Sequence, residues 1–510
     1  MLRFERFWGR HPALLYALAG LFGFSAAISW KVELLIPLVF LCIPSFFGCH
    51  QFRSRLIFAF VVLCAMFFYG KVCYQLPNVS PEGVQGSLHF QVSSVSASQT
   101  HFGFQWIYQG KAKIFISDET GPTGKNFPCT IRITNKGTLP RPTADRDYVI
   151  HGLLKKTRWG SYTFAATKKT PWQPVLGSWS LAEWRYSLRK GVKKYTSKMM
   201  NNTRSAEFLG GIITGDFEDR VMRMEFGKMG LQHLMAISGF HFALIAVMLS
   251  LLLRWIVPFK IATGILIFLL TSYFLFLGCG PSISRAWMMC LIALLSLFSE
   301  KPSYALNSLG VAILFILFYD PMLYRSLGFQ FSMVTTASIL LWYPIVKVWI
   351  ENIFQKRHLG NMSRMSIIDQ HCYCILAFIK EAVALAVAVN ISALPMTLFF
   401  FQKFPYLSLL YNLFIPFLVS ICMFLFLISS VVWMILPSIG SLIHAANAHF
   451  THFMLNFVYN IPNTLNYSWR VSDFPLPYFF SYLCLVFLLG IALKCRYEEE
   501  HRLQKDLALI

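Results

Sequence analysis

The chemistry-bearing residues of this chain gather in one short stretch. Gly230–His241 reads Gly-Leu-Gln-His-Leu-Met-Ala-Ile-Ser-Gly-Phe-His, which places two histidines, a serine and two glycines inside an apolar run. Polar side chains at membrane depth are costly unless they face a bundle interior or a water-filled cavity. His233, Ile237 and His241 stand four apart, so a continuous helix would align them on one stripe. Gly239 permits close helix approach or a break. Ser238 beside His241 raises nucleophilic hydrolysis, but no oriented acid completes such a site. The bland reading of the stretch is helix packing around satisfied histidines.

A second candidate is Arg285. It follows Pro281 by four residues, so it falls in the first turns of a span that carries no other charge from Ile283 through Phe298. A lone Arg there costs about 2.5–3.5 kcal/mol at the centre of a span, and less near an end. It either snorkels to the interface or turns inward, offering forked donors to phosphate.

These residues need membrane helices to hold them. Of 510 residues, 56% are hydrophobic and 13% charged, where a soluble domain carries roughly a quarter charged. Apolar runs near the about 20 residues that cross a bilayer occur at 13–29, 34–48 and 56–72 and again after residue 228. Further spans are expected near 230–254, 260–278, 282–299, 304–319, 326–349, 376–400, 408–436 and 477–494. The fold class is therefore a polytopic α-helical membrane protein with about 10–12 spans. The first run lacks a cleavage site and is followed by two more, so it is not a signal peptide. Arg3, Arg6 and Arg10 put the N-terminus in the cytoplasm of a cytoplasmic (inner) membrane protein. The loop 350–371, with Lys356, Arg357, His358 and Arg364, lies on the same side.

Five regions result: spans at 1–76, an external β domain at 77–175, a basic amphipathic helix at 176–204, a second membrane domain at 205–495, and a tail at 496–510. The external stretch holds short alternating runs at Leu88–Val95, Phe102–Tyr108, Lys113–Ser117, Thr130–Thr134, Tyr148–Leu154 and Tyr162–Ala166. Such strands suggest a small antiparallel barrel. Phe102, Phe104, Trp106 and Tyr108 share one face, either as barrel core or as a platform on which unpaired bases stack. This region has 12 Lys/Arg against 5 Asp/Glu, which suits a strand of phosphates.

In the basic helix, Ser180 and Glu183 have capping-box spacing. Leu181, Trp184, Leu188, Val192, Tyr195 and Met199 recur at helical spacing, with Arg185, Arg189, Lys190, Lys193, Lys194 and Lys198 on the other faces. That pattern reads as an interfacial helix on anionic lipid, with nucleic-acid contact as the alternative. The net charge of +22 combines positive-inside bias, lipid contact and room for a polyanionic partner. Most of the twelve cysteines lie in apolar runs; Cys73 and Cys129 both fall in the external region, where a disulfide is permitted. His371, Cys372 and Cys374 are too few for a zinc site. His444, His449 and His452 are expected on a solvated or interfacial face. No metal, cofactor or catalytic residue is assigned.

The Gly230–His241 stretch closely resembles the signature of ComEC-type DNA-internalisation proteins, roughly Gly-Leu-x-His-Leu-Leu-Ala-Ile-Ser-Gly-Leu-His-Val. His233, Leu234, Ala236, Ile237, Ser238, Gly239 and His241 match, while Phe240 and Phe242 are bulkier than usual. Other family segments are matched in order: Leu209-Gly210 with Gly215-Asp216; Pro281-Ser282 with Arg285-Ala286 and Met288; Asp320-Pro321, then Gly328-Phe329-Gln330 with Ser332; and Pro395, Phe401, Asn412 and Pro416.

The resemblance implies a channel for single-stranded DNA during natural transformation, with an oligonucleotide-binding-type (OB-like) external domain. His233, Ser238, Gly239, His241, Arg285, Gln330 and Asp216 would line the DNA path. The competing reading is a permease for another solute or lipid on the same fold. Many family members carry a metallo-β-lactamase-like domain, but no His-x-His-x-Asp-His pattern occurs here, so the expectation is a non-enzyme that relies on a separate nuclease. Moving each DNA charge inward costs about 2.3 kcal/mol per 100 mV. Gly121–Asn126 has the wrong spacing for a P-loop, so a separate cytoplasmic ATP-driven, helicase-like motor is expected. A homo-oligomer is left open.

Overall fold

The computed structural model describes residues 2–29, 50–100, 103–119, 121–134, 141–157, 161–167, 171–237, 239–300, 303–354, 365–462, 467–472 and 474–507. The expected run at 34–48, the basic residues Lys356, Arg357, His358 and Arg364, Phe102 and Ser238 lie outside the described residues.

The chain is a multi-pass helical membrane protein. Eight described helices are long and apolar enough to span: α2 (Pro12–Ser29), α3 (His50–Cys73), α8 (Phe259–Leu277), α9 (Pro281–Ser299), α11 (Leu327–Ile353), α12 (Ile367–Phe401), α13 (Ser408–Ile435) and α15 (Leu476–Leu507). Two shorter apolar helices, α7 (Gly239–Arg254) and α10 (Ala305–Tyr319), pack among them. The short helices α1 (Leu2–Arg10), α4 (Ala182–Met199), α5 (Thr203–Thr214) and α6 (Arg220–Lys228), with the hairpin partner α14 (Pro437–Tyr459), complete the helical set.

Small residues and side-chain-to-backbone bonds hold the helices together, as expected where lipid removes the hydrophobic drive between them. On α2, a Cβ at Gly23 would strike the Leu63 carbonyl of α3, so only glycine admits that approach. Ser338 of α11 donates to the Ala388 carbonyl of α12 at 2.7 Å. Asn447 of α14 donates to the Cys422 carbonyl of α13 at 3.1 Å. His444 is buried, with Ser429 Oγ 2.9 Å from its Nδ1 and Tyr195 Oη 3.2 Å from its Nε2. Asn202 and Asn456 bracket His452 at 3.0 and 3.1 Å. The expectation of a solvated or interfacial face therefore fits the exposed His449 and the half-buried His452 and fails for His444. His444 is buried because it finds polar partners there.

Among the described residues six strands form one sheet: β1 (Val84–Thr100), β2 (Gly103–Ser117), β3 (Gly121–Thr134), β4 (Tyr148–Lys156), β5 (Tyr162–Ala166) and β6 (Gln173–Pro174), in the order β1-β2-β3-β5-β4-β6, with β1 also pairing β4. The β3–β5 pairing is parallel and the others are antiparallel. The two expected strands at 102–108 and 113–117 are one: Gly110 pairs Val92 on one side and Cys129 on the other, so β2 runs through it. The core is Leu88, Phe90, Tyr108, Phe115, Phe127, Ile131, Leu154 and Phe164, alternating along their strands. Cys129 is buried and both it and Cys73 are free thiols, so the permitted disulfide is not made.

Candidate functional site: the motif helices and the basic strut

The Gly230–His241 stretch is not one helix. Gly230 is left-handed at φ +72°, and a Cβ there would meet Ser408 Cβ at 2.7 Å. A 3₁₀ turn follows at Gln232–Met235, Ala236 is extended, and α7 begins at Gly239. This corrects the expected stripe of His233, Ile237 and His241: the backbone breaks at the extended Ala236, and Gly239 opens the helix that follows. His241 is buried in the first turn of α7. His233, in the 3₁₀ turn, is exposed.

Arg285 stands in the second turn of α9, whose first residue is Pro281. Its side chain does not snorkel outward. Nη1 donates to Thr336 Oγ1 of α11, and a Cβ at Gly239 would lie 2.5 Å from Nη2. Arg285 thus ties α7, α9 and α11 inside the bundle. Its Nε is buried and has no hydrogen-bond partner among the described residues. Thr336, which the sequence reading passed over, stays satisfied by donating to the Ser332 carbonyl at 2.7 Å. A threonine in an apolar helix ordinarily makes only that bond, so its pattern carries no signal.

The motifs that are remote in sequence meet here. A Cβ at Gly215, next to Asp216, would meet Ile237 Cδ1 at 2.7 Å. Ser282 Oγ donates to the Gly328 carbonyl at 3.5 Å. Two expected site residues are bonded within the protein. Gln330 Nε2 donates to the Tyr324 carbonyl at 3.3 Å, bracing the turn before α11. Asp216 accepts from Lys193 Nζ at 2.8 Å, and Glu218 from the same Nζ at 2.7 Å.

That lysine belongs to α4, which fastens the sheet to the bundle. The capping box does not close. Glu183 is taken by Arg141, at 3.0 and 2.5 Å, and by the Ala144 amide at 2.8 Å, while Ser180 Oγ donates to the Val92 carbonyl at 2.8 Å. Burial pulls the Arg141 guanidinium down, but the Glu183 bonds outweigh it and leave it above its ordinary value. Arg141 also stacks over Trp106 and Tyr186, at 5.1 and 4.4 Å. At the bundle end, Arg185 Nε donates to the Leu275 carbonyl at 2.8 Å and Arg189 Nη2 to the Leu277 carbonyl at 2.5 Å. These are orphan carbonyls at the C-terminus of α8, where the helix dipole favours a cation.

The aromatic face is corrected in part. Tyr108 is fully buried, and its hydroxyl donates to the Pro142 carbonyl at 2.6 Å, so it is core and not a stacking surface. Trp106 packs edge-on against Tyr186 at 5.7 Å. Phe104 lies on β2, and its side chain is outside the described residues. Among the described residues, no three His, Cys, Asp or Glu side chains are grouped to hold a metal ion.

The sequence model of the Competence protein family matches residues 216–496, more than half of the chain. The chain belongs to the competence protein family. That stretch contains the 3₁₀ turn, the broken stripe and the Arg285 tie, and it agrees with the ComEC-type resemblance drawn from the motifs. ComE operon protein 3 of Bacillus subtilis (strain 168) is 25% identical over 238 residues, covering 45% of this chain and 27% of that relative. The aligned stretch is thus about a quarter of the relative's length. No solved structure matches the chain.

Proposed function

We propose that this protein takes part in competence DNA uptake as the conduit through which a single DNA strand crosses the cytoplasmic membrane. The observation that carries this reading is Arg285. It lies within the family-matched stretch and is turned into the bundle against Gly239 and Thr336, with no acidic partner among the described residues. A cation held off the lipid at the meeting point of three helices suits a passing phosphate better than it suits a neutral solute. The exposed His233, His241 in the first turn of α7, Asp216 and Gln330 are proposed as neighbours of the path.

The finer parts of the reading rest on similar support. Pairing of β1 with both β2 and β4 closes a ring of five strands, which supports a small OB-like barrel. Arg3, Arg6 and Arg10 support a cytoplasmic N-terminus and an external barrel. The polyanion must be driven inward, so a separate ATP-driven helicase-like motor and a separate nuclease are proposed partners, with no catalysis by this chain. Deleting the gene in its host should abolish transformation by linear DNA, and the intact gene supplied in trans should restore it. Normal transformation in the deletion strain would overturn the proposal in favour of a permease.

A further inference from the structure

The structure divides the six basic residues of α4 into two sets. Arg185, Arg189 and Lys193 are spent on protein acceptors. Lys190, Lys194 and Lys198 are exposed and make no ion pair among the described residues.

The exposed arc has its own order. At about 100° per residue, Ala182, Arg189, Lys193 and Thr196 centre the face docked on protein. Going round the opposite side, Lys190, Lys194 and Lys198 come first, then Trp184 and Leu188. Trp184 is 50% exposed and Leu188 40%, and the segment leading into the helix adds Leu176 at 90% and Trp179 at 73%. One edge of the helix is therefore cationic and the other apolar. An apolar edge rich in Trp beside a row of lysines suits the boundary between headgroups and acyl chains. A phosphate backbone in water would leave Leu176, Trp179 and Leu188 without a role.

We propose that α4 is seated in the interface of the membrane, with Leu176, Trp179, Trp184 and Leu188 dipping toward the acyl chains and Lys190, Lys194 and Lys198 bound to the phosphates of anionic phospholipid. The occupant follows from charge complementarity and from continuity with the spans: Arg185 and Arg189 hold the helix against the end of α8, where a span ends. The docked face fixes the rotation of α4, so its lipid-facing edges are set by protein contacts and not by the lipid.

The test uses the purified full-length protein in nanodiscs containing phosphatidylglycerol and phosphatidylcholine. Native mass spectrometry reads the ratio of the two lipids retained, for wild type and for Lys190→Gln/Lys194→Gln/Lys198→Gln. Each cation near an anionic surface contributes about fivefold, so the triple variant should lose about tenfold or more of the phosphatidylglycerol preference. Lys403→Gln, an exposed lysine elsewhere, should leave it unchanged. An unchanged preference in the triple variant overturns the proposal. Loss of single-stranded oligonucleotide binding with lipid preference intact overturns it in favour of nucleic acid. Hydroxyl-radical labelling in the same nanodiscs checks the apolar edge without any substitution: Trp179 and Trp184 should be shielded, and labelling of both as fast as in denatured protein would reject the seating.

Discussion

Substituting Arg285 tests the centre of the proposed path. In Arg285→Lys the charge stays, but a single ammonium cannot reproduce the planar fork that reaches Thr336 with Nη1 and lies against Gly239 with Nη2. A charge-assisted hydrogen bond is worth about 1.5–3 kcal/mol, so losing one to a passing phosphate slows transfer about tenfold to a hundredfold. Arg285→Ala should remove uptake altogether. Folding should survive both changes, because Thr336 Oγ1 keeps its bond to the Ser332 carbonyl and no buried carboxylate is left without a partner. Gly239→Ala gives an independent arm, since its methyl would occupy the space now held by Nη2 and displace the guanidinium without altering it. The assay is transformation frequency with linear DNA, normalised to the amount of protein in the membrane by immunoblot. The result that refutes the reasoning is an Arg285→Lys strain that transforms like its parent at equal protein level, for then a generic charge suffices.

Other outcomes are expected. Burial pushes the Cys129 thiol up to about 12, so in native protein at neutral pH a maleimide should modify the exposed Cys372 and Cys374 well before Cys129; equal rates would mean an open sheet. Burial also pushes the Tyr108 hydroxyl up to about 12, despite its hydrogen bond to Arg141. Both groups are raised, so the stability they lend is complete below the unfolded values of about 9 and 10 and is lost as pH rises toward 12; circular dichroism of the full chain should show strand loss in that window and none between pH 6 and 8. Glu183→Ala should lower the stability of the sheet–α4 joint by about 1–3 kcal/mol, because it strips the half-buried Arg141 of its partner and the Ala144 amide of its acceptor, and a thermal-shift measurement should report it. Purified protein with added divalent metal should leave DNA intact, and metal-dependent cleavage that co-purified with the chain would reject the non-enzymatic reading.

Much of the fold was legible because hydrophobic length and period are local properties. The runs at 13–29, 56–72 and 408–436 match α2, α3 and α13 to within about a turn and a half, and Pro281 marks the start of α9. The motif order likewise identified the family from residue types alone. What the sequence alone could not decide were relations that depend on partners far away in the chain. The break at Ala236 looked like a helix stripe, because a continuous helix and a turn followed by a helix share the same apolar residues. The basic face of α4 looked uniform until the carbonyls of Leu275 and Leu277 and the carboxylates of Asp216 and Glu218 claimed three of its cations. Tyr108 alternated with Trp106 as a platform would, but strand period does not say which face meets the core. His444 read as solvated because only the fold brings Ser429 and Tyr195 to its ring. In each case residue type and spacing set which bonds a side chain can make, and tertiary contact alone selects which of them it does make.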